Sequence, residues 1–329
     1  MRPPYWRGMF VAVAALLFAT AFVVSGAAAH INLKLLLAAV AVQPLNAFSA
    51  VFVSWRLRLL AGALAGFASS FKAQCLAATF MLFAPGRISE IVKPLYLMER
   101  DRVPAAHAFA AVVTERLVDV IIVAIAIVVT SFLAGGGSFE RVWLFVALLL
   151  FTVCGSVFIA LAKPEWVRGL IQLLPFEKVR VAIVRLFDQC RNKLVPRILL
   201  PALALGIAAW LFSFLTTYLF LVLAANRPVS LMQGLIVFMA STVGLAISIA
   251  PGSAGTFEAA AVVSLKYCGF SVSEALALSI GMRIASQGLS LAIGVYVLAR
   301  EKIGLKSFAS SAIAYIREPS ASGGRLNGK

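Results

Sequence analysis

The residues able to do chemistry in this 329-residue chain are few and fall in two related groups. One reads Ala84-Pro85-Gly86-Arg87-Ile88-Ser89-Glu90 and runs on to Lys93; Glu115, Arg116 and Asp119 follow, with Arg116 26 residues beyond Glu90. The other reads Ala250-Pro251-Gly252-Ser253-Ala254-Gly255-Thr256-Phe257-Glu258, with Arg283 25 residues beyond Glu258 and Gln287 a turn after that. Arg87, Lys93, Arg116 and Arg283, with backbone amides freed after each Pro-Gly break, suit a phosphate. Glu90, Glu115, Asp119 and Glu258 suit a cationic headgroup or a proton relay, and the residue types leave these readings open. A structural reading stands beside them: Glu90 with Arg116, and Glu258 with Arg283, as ion pairs that pin the chain around each break.

Paired carboxylates can also act as general acid and base. No His/Cys constellation, metal-ligand spacing or nucleotide-phosphate loop accompanies them here, so no catalytic residue, metal or cofactor is assigned. Cys75, Cys154, Cys190 and Cys268 form no CxxC pair and read as small apolar packing residues. His30 and His107 are isolated and receive no role.

The elements that position these groups are membrane helices. Hydrophobic residues make up 62% of the chain and charged residues only 13%, too few to keep a soluble domain of this size dissolved. Residues 9–29, 35–55, 142–162, 198–225 and 230–250 contain no Asp, Glu, Lys or Arg, and a spanning helix needs about 20 apolar residues. The net charge of +16 is not a nucleic-acid signal, because the basic residues sit at the ends of apolar runs. That is the positive-inside pattern and implies contact with anionic lipid surfaces. Arg2 and Arg7, the apolar run and Ala27-Ala28-Ala29 have features of a signal peptide, but the run is long for one and reads as an uncleaved first span.

Basic clusters at Arg2/Arg7, at Arg56-Leu57-Arg58, across 163–197 and at Arg300/Lys302/Lys306 mark the cytoplasmic side; the Gly135-Gly136-Gly137 loop lies outside. Spans 9–29, 34–55, 105–133, 142–162, 198–225 and 273–299 then satisfy the charge bias, and segments 59–84 and 230–250 must enter and leave on one side. The expected fold is all-α: six spanning helices and two re-entrant segments, both termini cytoplasmic. Repeat one covers about 9–133 and repeat two about 142–299, in opposite orientations, within a membrane domain of 1–317 and before a disordered tail of 318–329. Proline removes a backbone donor and glycine tolerates unusual dihedrals, so Pro85-Gly86 and Pro251-Gly252, with Gly255, break the two segments. Non-helical backbone at membrane depth survives only inside protein or beside water, so the breaks imply a cavity.

Arg116 falls about 17 Å and Arg283 about 15 Å into their helices, near mid-bilayer. Ser279, Ser286, Gln287 and Ser290 form a polar stripe around Arg283, and Lys72 and Gln74 interrupt the first re-entrant segment. Residues 168–197 mix apolar and basic positions and read as an amphipathic interfacial helix or pair of helices broken at Pro175. Gly62 and Gly66 have the GxxxG spacing of close helix packing.

Pro85 to Glu90, Thr114-Glu115-Arg116-Leu117-Val118-Asp119, the Pro251 to Glu258 motif and Arg283 together resemble the lysylphosphatidylglycerol synthase transmembrane-region family, also called flippase-like membrane proteins. The resemblance covers roughly residues 10–300. It implies an integral protein of the bacterial inner membrane; in two-domain members this region translocates aminoacylated phosphatidylglycerol made by a separate soluble domain. The resemblance does not extend to that domain within residues 1–329, so aminoacyl transfer is not expected of them. Standalone members are linked to lipid, hopanoid or glycan-lipid pathways. Glu90, Glu115, Arg116, Glu258 and Arg283 match the family's motif positions, whereas Arg87-Ile88-Ser89 replaces a stretch that is commonly small and Gly-containing. The expected function is a lipid flippase or transporter acting on an anionic or aminoacylated phospholipid or a lipid-linked glycan. A membrane-embedded transferase, or a lipid-binding scaffold for a partner enzyme, are the alternatives.

Overall fold

In a computed structural model, the chain is described over residues 30–81, 88–133, 138–162, 165, 169, 177–247, 253 and 255–301. The expected first span, the residues Pro85, Gly86, Arg87, Pro251 and Gly252, and the 318–329 tail lie outside the described residues. Every regular element among the described residues is helical. The α-helices are α1 (Leu33–Ala41), α2 (Gln43–Ala61), α3 (Phe67–Met81), α4 (Val92–Asp101), α5 (Ala105–Leu133), α6 (Ser138–Ala162), α7 (Glu177–Lys193), α8 (Pro196–Ala224), α9 (Leu231–Ala246), α10 (Thr256–Tyr267) and α11 (Val272–Glu301). A short 3-10 helix (Ile88–Ile91) leads into α4.

The expected span 34–55 is longer and kinked. Leu33–Ala61 is one apolar stretch of 29 residues, divided at Val42. Pro44 explains the division, since it has no N–H to donate and its ring crowds the preceding turn. Local signals set other ends: Asn32 Oδ1 accepts from the Leu35 amide at 2.9 Å to start α1, and Ser230 with Gln233 forms a reciprocal capping box at the start of α9. Span 105–133 coincides with α5.

Two series of helices have matching lengths. The first is the kinked 29-residue stretch, α3 with 15 residues, α4 with 10 and α5 with 29. The second is α8 with 29, α9 with 16, α10 with 12 and α11 with 30. Each Pro-Gly motif falls between the second and third members. The short helices α4 and α10 went unseen in the sequence because each is shorter than the apolar window that reveals a span.

Two apolar cores hold the series together. Leu57, Leu60, Leu76, Tyr96 and Leu97 gather the first, joined by Val297 of α11. Phe220, Val237, Phe257, Leu265 and Met282 gather the second, joined by Leu35 of α1. Each core thus takes a helix from the other series, and the halves cannot separate without exposing both. Outward faces are apolar as well: Leu33 is 70% exposed, Phe132 72% and Phe145 67%. Such surface is stable in lipid. The stretch Leu33–Ala61, α8 and α11 are each long and apolar enough to cross a membrane.

Segment 163–197 contains a packed helix. α7 sets Leu186, Phe187 and Cys190 against Ala110 and Leu117 of α5, and Lys193 Nζ donates to the Leu60 carbonyl at the end of α2. Pro175 lies outside the described residues. The GxxxG expectation is overturned: Gly62 caps α2 at φ 96° with nothing within 4 Å of a Cβ, and Gly66, in the loop that follows, donates its amide to Asp101 Oδ2 at the end of α4. Close helix packing falls elsewhere. A Cβ on Gly294 of α11 would land on Thr79 Oγ1 and on the Cys75 carbonyl of α3. Gly294→Val is therefore expected to destabilise the protein by roughly 1–3 kcal/mol. Gly155→Ala, at a position with open space, is expected to be neutral. Thermal unfolding of both variants in detergent checks this.

Candidate functional site

The first motif and α5 build a cluster of six charged side chains. α5 presents Glu115, Arg116 and Asp119 on adjoining faces, the 3-10 helix supplies Glu90, and α4 supplies Lys93. The sixth member is Arg56 of α2. Arg56 donates to Asp119 Oδ1 at 2.7 Å and to Glu115 Oε1 at 3.3 Å. Lys93 Nζ lies 3.0 Å from Glu115 Oε1 and 3.1 Å from Glu90 Oε2. Arg116 reaches Glu90 Oε2 at 3.2 Å, Glu115 Oε1 at 3.1 Å and Asp119 Oδ2 at 3.1 Å. The indole N–H of Trp210 in α8 donates to Asp119 Oδ1 at 3.0 Å. Three cations face three carboxylates, and the cluster is electrically neutral.

Burial makes that balance necessary. Arg56 and Lys93 are 1% exposed and Glu115 is 0% exposed. An isolated charge in such a place costs several kcal/mol, and attraction plus hydrogen bonding offset it only when partners surround it. Arg56 is the residue that sequence reasoning missed. It read as a cytoplasmic flag beside Arg58, and the structure instead places it inside the bundle. The available signal was spacing: Asn46, Ser49 and Arg56 share one face of α2 at helical intervals. Gly206 of α8 leaves the room, because a Cβ there would approach Arg56 Nη1 to 2.8 Å.

The second motif is simpler. Arg283 Nε donates to Glu258 Oε1 at 2.7 Å, and its guanidinium lies 4.6 Å from the centre of the Phe257 ring. The Gly255 amide, expected to be free for a phosphate, instead donates to Glu258 Oε2 at 2.8 Å. Gly255 has φ 87°, a conformation in which a side chain would be strained. The same spacings carry different residues in the two halves. Three past the motif glutamate stand Lys93 and Ala261; one before the arginine, Glu115 and Met282; three after it, Asp119 and Ser286. Among the described residues, the dense charge belongs to the first half.

A cavity of about 280 Å³ lies between the two halves. Arg56, Glu115, Arg116 and Asp119 line one side. α8 adds Ser213, Thr216 and Thr217, α9 adds Ser241 and Thr242, and α11 adds Ser286, Gln287 and Ser290. Asn46 and Ser49 of α2 and Gln74 of α3 complete the neutral polar lining, with Phe238, Phe257 and Met282 between. Gln287 and part of the predicted stripe thus face the cavity. Arg283 stands behind Phe257. Lys72 is drawn elsewhere, to Glu301 Oε1 at 2.7 Å, where Tyr96 also donates to Oε2 at 2.8 Å. Among the described residues, no group of His, Cys, Asp and Glu is placed to hold a metal ion.

Arg56→Met leaves two cations for three carboxylates, two of them buried, and is expected to destabilise the protein by about 3–5 kcal/mol. Arg56→Met with Asp119→Asn restores the balance and should recover part of that loss. Thermal unfolding of both variants gives their coupling as a mutant cycle.

The family model for the lysylphosphatidylglycerol synthase TM region matches residues 6–294. Neither the curated proteins nor the solved structures give a significant match. A match over most of the chain, spanning both motifs, places this protein in the lysylphosphatidylglycerol synthase TM region family.

Proposed function

We propose that this protein moves a lipid-like amphiphile across the bacterial inner membrane, its headgroup passing through the cavity between the two halves. The observation that carries the reading is the cavity: charged and hydroxyl side chains from helices of both series enter an otherwise apolar lining, in a molecule whose outer surface is apolar. A headgroup shielded there avoids the hydrocarbon while its chains stay in lipid. Family membership supports the same class of function.

In this reading the Pro-Gly motifs are re-entrant, and the two series form an inverted repeat in a bundle of six spanning helices, with both termini cytoplasmic. The matched lengths support it, as does the placement of each break between a 15- or 16-residue helix and a short one. The Glu90–Arg116 and Glu258–Arg283 pairs are the corresponding gates, which must loosen and re-form as access alternates. No chemical conversion of the lipid is assigned.

In proteoliposomes carrying fluorescent phospholipids, wild-type protein is expected to equalise the label between leaflets. Arg283→Ala is expected to slow this at least about tenfold, as loss of about 1.4 kcal/mol at the limiting step requires. Because Arg283→Ala leaves Glu258, buried at 7% exposure, without its cation, thermal unfolding of the variant in detergent is measured beside its transport rate. Wild-type rates from folded Arg283→Ala would remove the second motif from the path.

A further inference from the structure

We infer that the cavity selects a polyhydroxylated, uncharged headgroup, such as a sugar or glycerol unit, over a cationic aminoacyl one. The inference rests on the transport reading above and specifies the substrate class for the same cavity.

The first ground is charge. A cationic headgroup needs an uncompensated carboxylate, and each carboxylate of the cluster already faces protein cations: Glu90 meets Lys93 and Arg116, Glu115 meets all three cations, and Asp119 meets Arg56 and Arg116. The lining charges are two cations and two carboxylates, so the cavity offers no net negative field. An ammonium entering it loses water and gains no counter-charge.

The second ground is the set of buried atoms without a hydrogen-bond partner. Four of them belong to cavity-lining side chains: Arg56 Nε, Arg116 Nε, Gln74 Oε1 and Glu115 Oε2. Two are donors and two are acceptors. An ammonium only donates and would leave the guanidinium N–H groups unmet. A phosphate only accepts and would leave Gln74 and Glu115 unmet. A hydroxyl does both, so adjacent hydroxyls on one ring or chain can meet donors and acceptors alike once these buried side chains turn toward the cavity. Besides Gln74, ten further lining side chains are Ser, Thr, Asn or Gln, each able to donate and accept, set among apolar neighbours. Sites that fix a ligand through hydroxyl hydrogen bonds discriminate strongly against ligands lacking them, because the site's own polar groups are then stranded.

The test is native mass spectrometry of the full-length protein in detergent, titrated with glucosyl-diacylglycerol, phosphatidylglycerol and lysyl-phosphatidylglycerol, all with the same acyl chains. Free glucose as competitor separates a lipid-borne headgroup from a soluble polyol. The expected order is glucosyl, then phosphatidylglycerol, then lysyl, with about tenfold between first and last. Gln74→Leu is expected to reduce glucosyl-lipid binding about tenfold, and Gln287→Glu, which adds a negative charge to the lining, is expected to move the preference toward the lysyl lipid. Equal or tighter binding of the lysyl lipid by wild-type protein overturns the inference while leaving the transport reading intact. Binding of no lipid overturns the inference, and only a failed proteoliposome assay overturns the transport reading.

Discussion

Everything in this structure answers to one electrostatic constraint: a charge inside an apolar bundle must find its counter-charge within the protein. Glu115, fully buried, illustrates it, with three cations gathered around a single oxygen. Those cations come from α2, α4 and α5, so the cluster ties three helices of the first half at one point. Trp210 extends the tie to α8 in the second half. Such a cluster specifies an arrangement more than it stabilises one, since its attractions largely offset the desolvation of its own members. Stability comes from the two shared apolar cores.

Glycine decides how closely the remaining helices approach. At Gly206 the missing side chain admits a guanidinium, and at Gly294 it admits the backbone of α3. At Gly244 a Cβ would come within 2.6 Å of the Thr256 carbonyl, which lets α9 and α10 lie against each other beside the second break. The three positions do different physical work, and none has the spacing that draws the eye in the sequence. Gly62 and Gly66 do have it, and they only end one helix and lead into the next.

The two halves share a skeleton and differ in contents. Each has a long helix, a break flanked by a half-length and a short helix, and a second long helix whose arginine returns to the glutamate after the break. Around that common pair the first half adds Arg56, Lys93, Glu115 and Asp119, while the second has Ala261, Met282 and Ser286 at the matched positions. One wall of the cavity is thus charged but balanced, and the opposite wall is hydroxylated. A ligand between them meets hydrogen-bonding groups on both sides and a net field on neither.

The sequence by itself determined the class of the molecule, the ends of α5 and α11 to within two residues of 105–133 and 273–299, and the Glu90–Arg116 and Glu258–Arg283 pairings as one reading of two matching motifs. Those features depend on local runs and fixed spacings, which a linear text carries. Only the tertiary structure decided that Arg56 belongs with Glu115 and Asp119, 59 and 63 residues away. It also decided that the amide at Gly255 is held by Glu258, and that Gln74 and Gln287, far apart in the chain, line one cavity. Each of these depends on which faces of separate helices meet. Helical periodicity fixes a residue's face on its own helix, whereas the rotation of that helix against its neighbours is settled by packing and charge balance across the whole bundle.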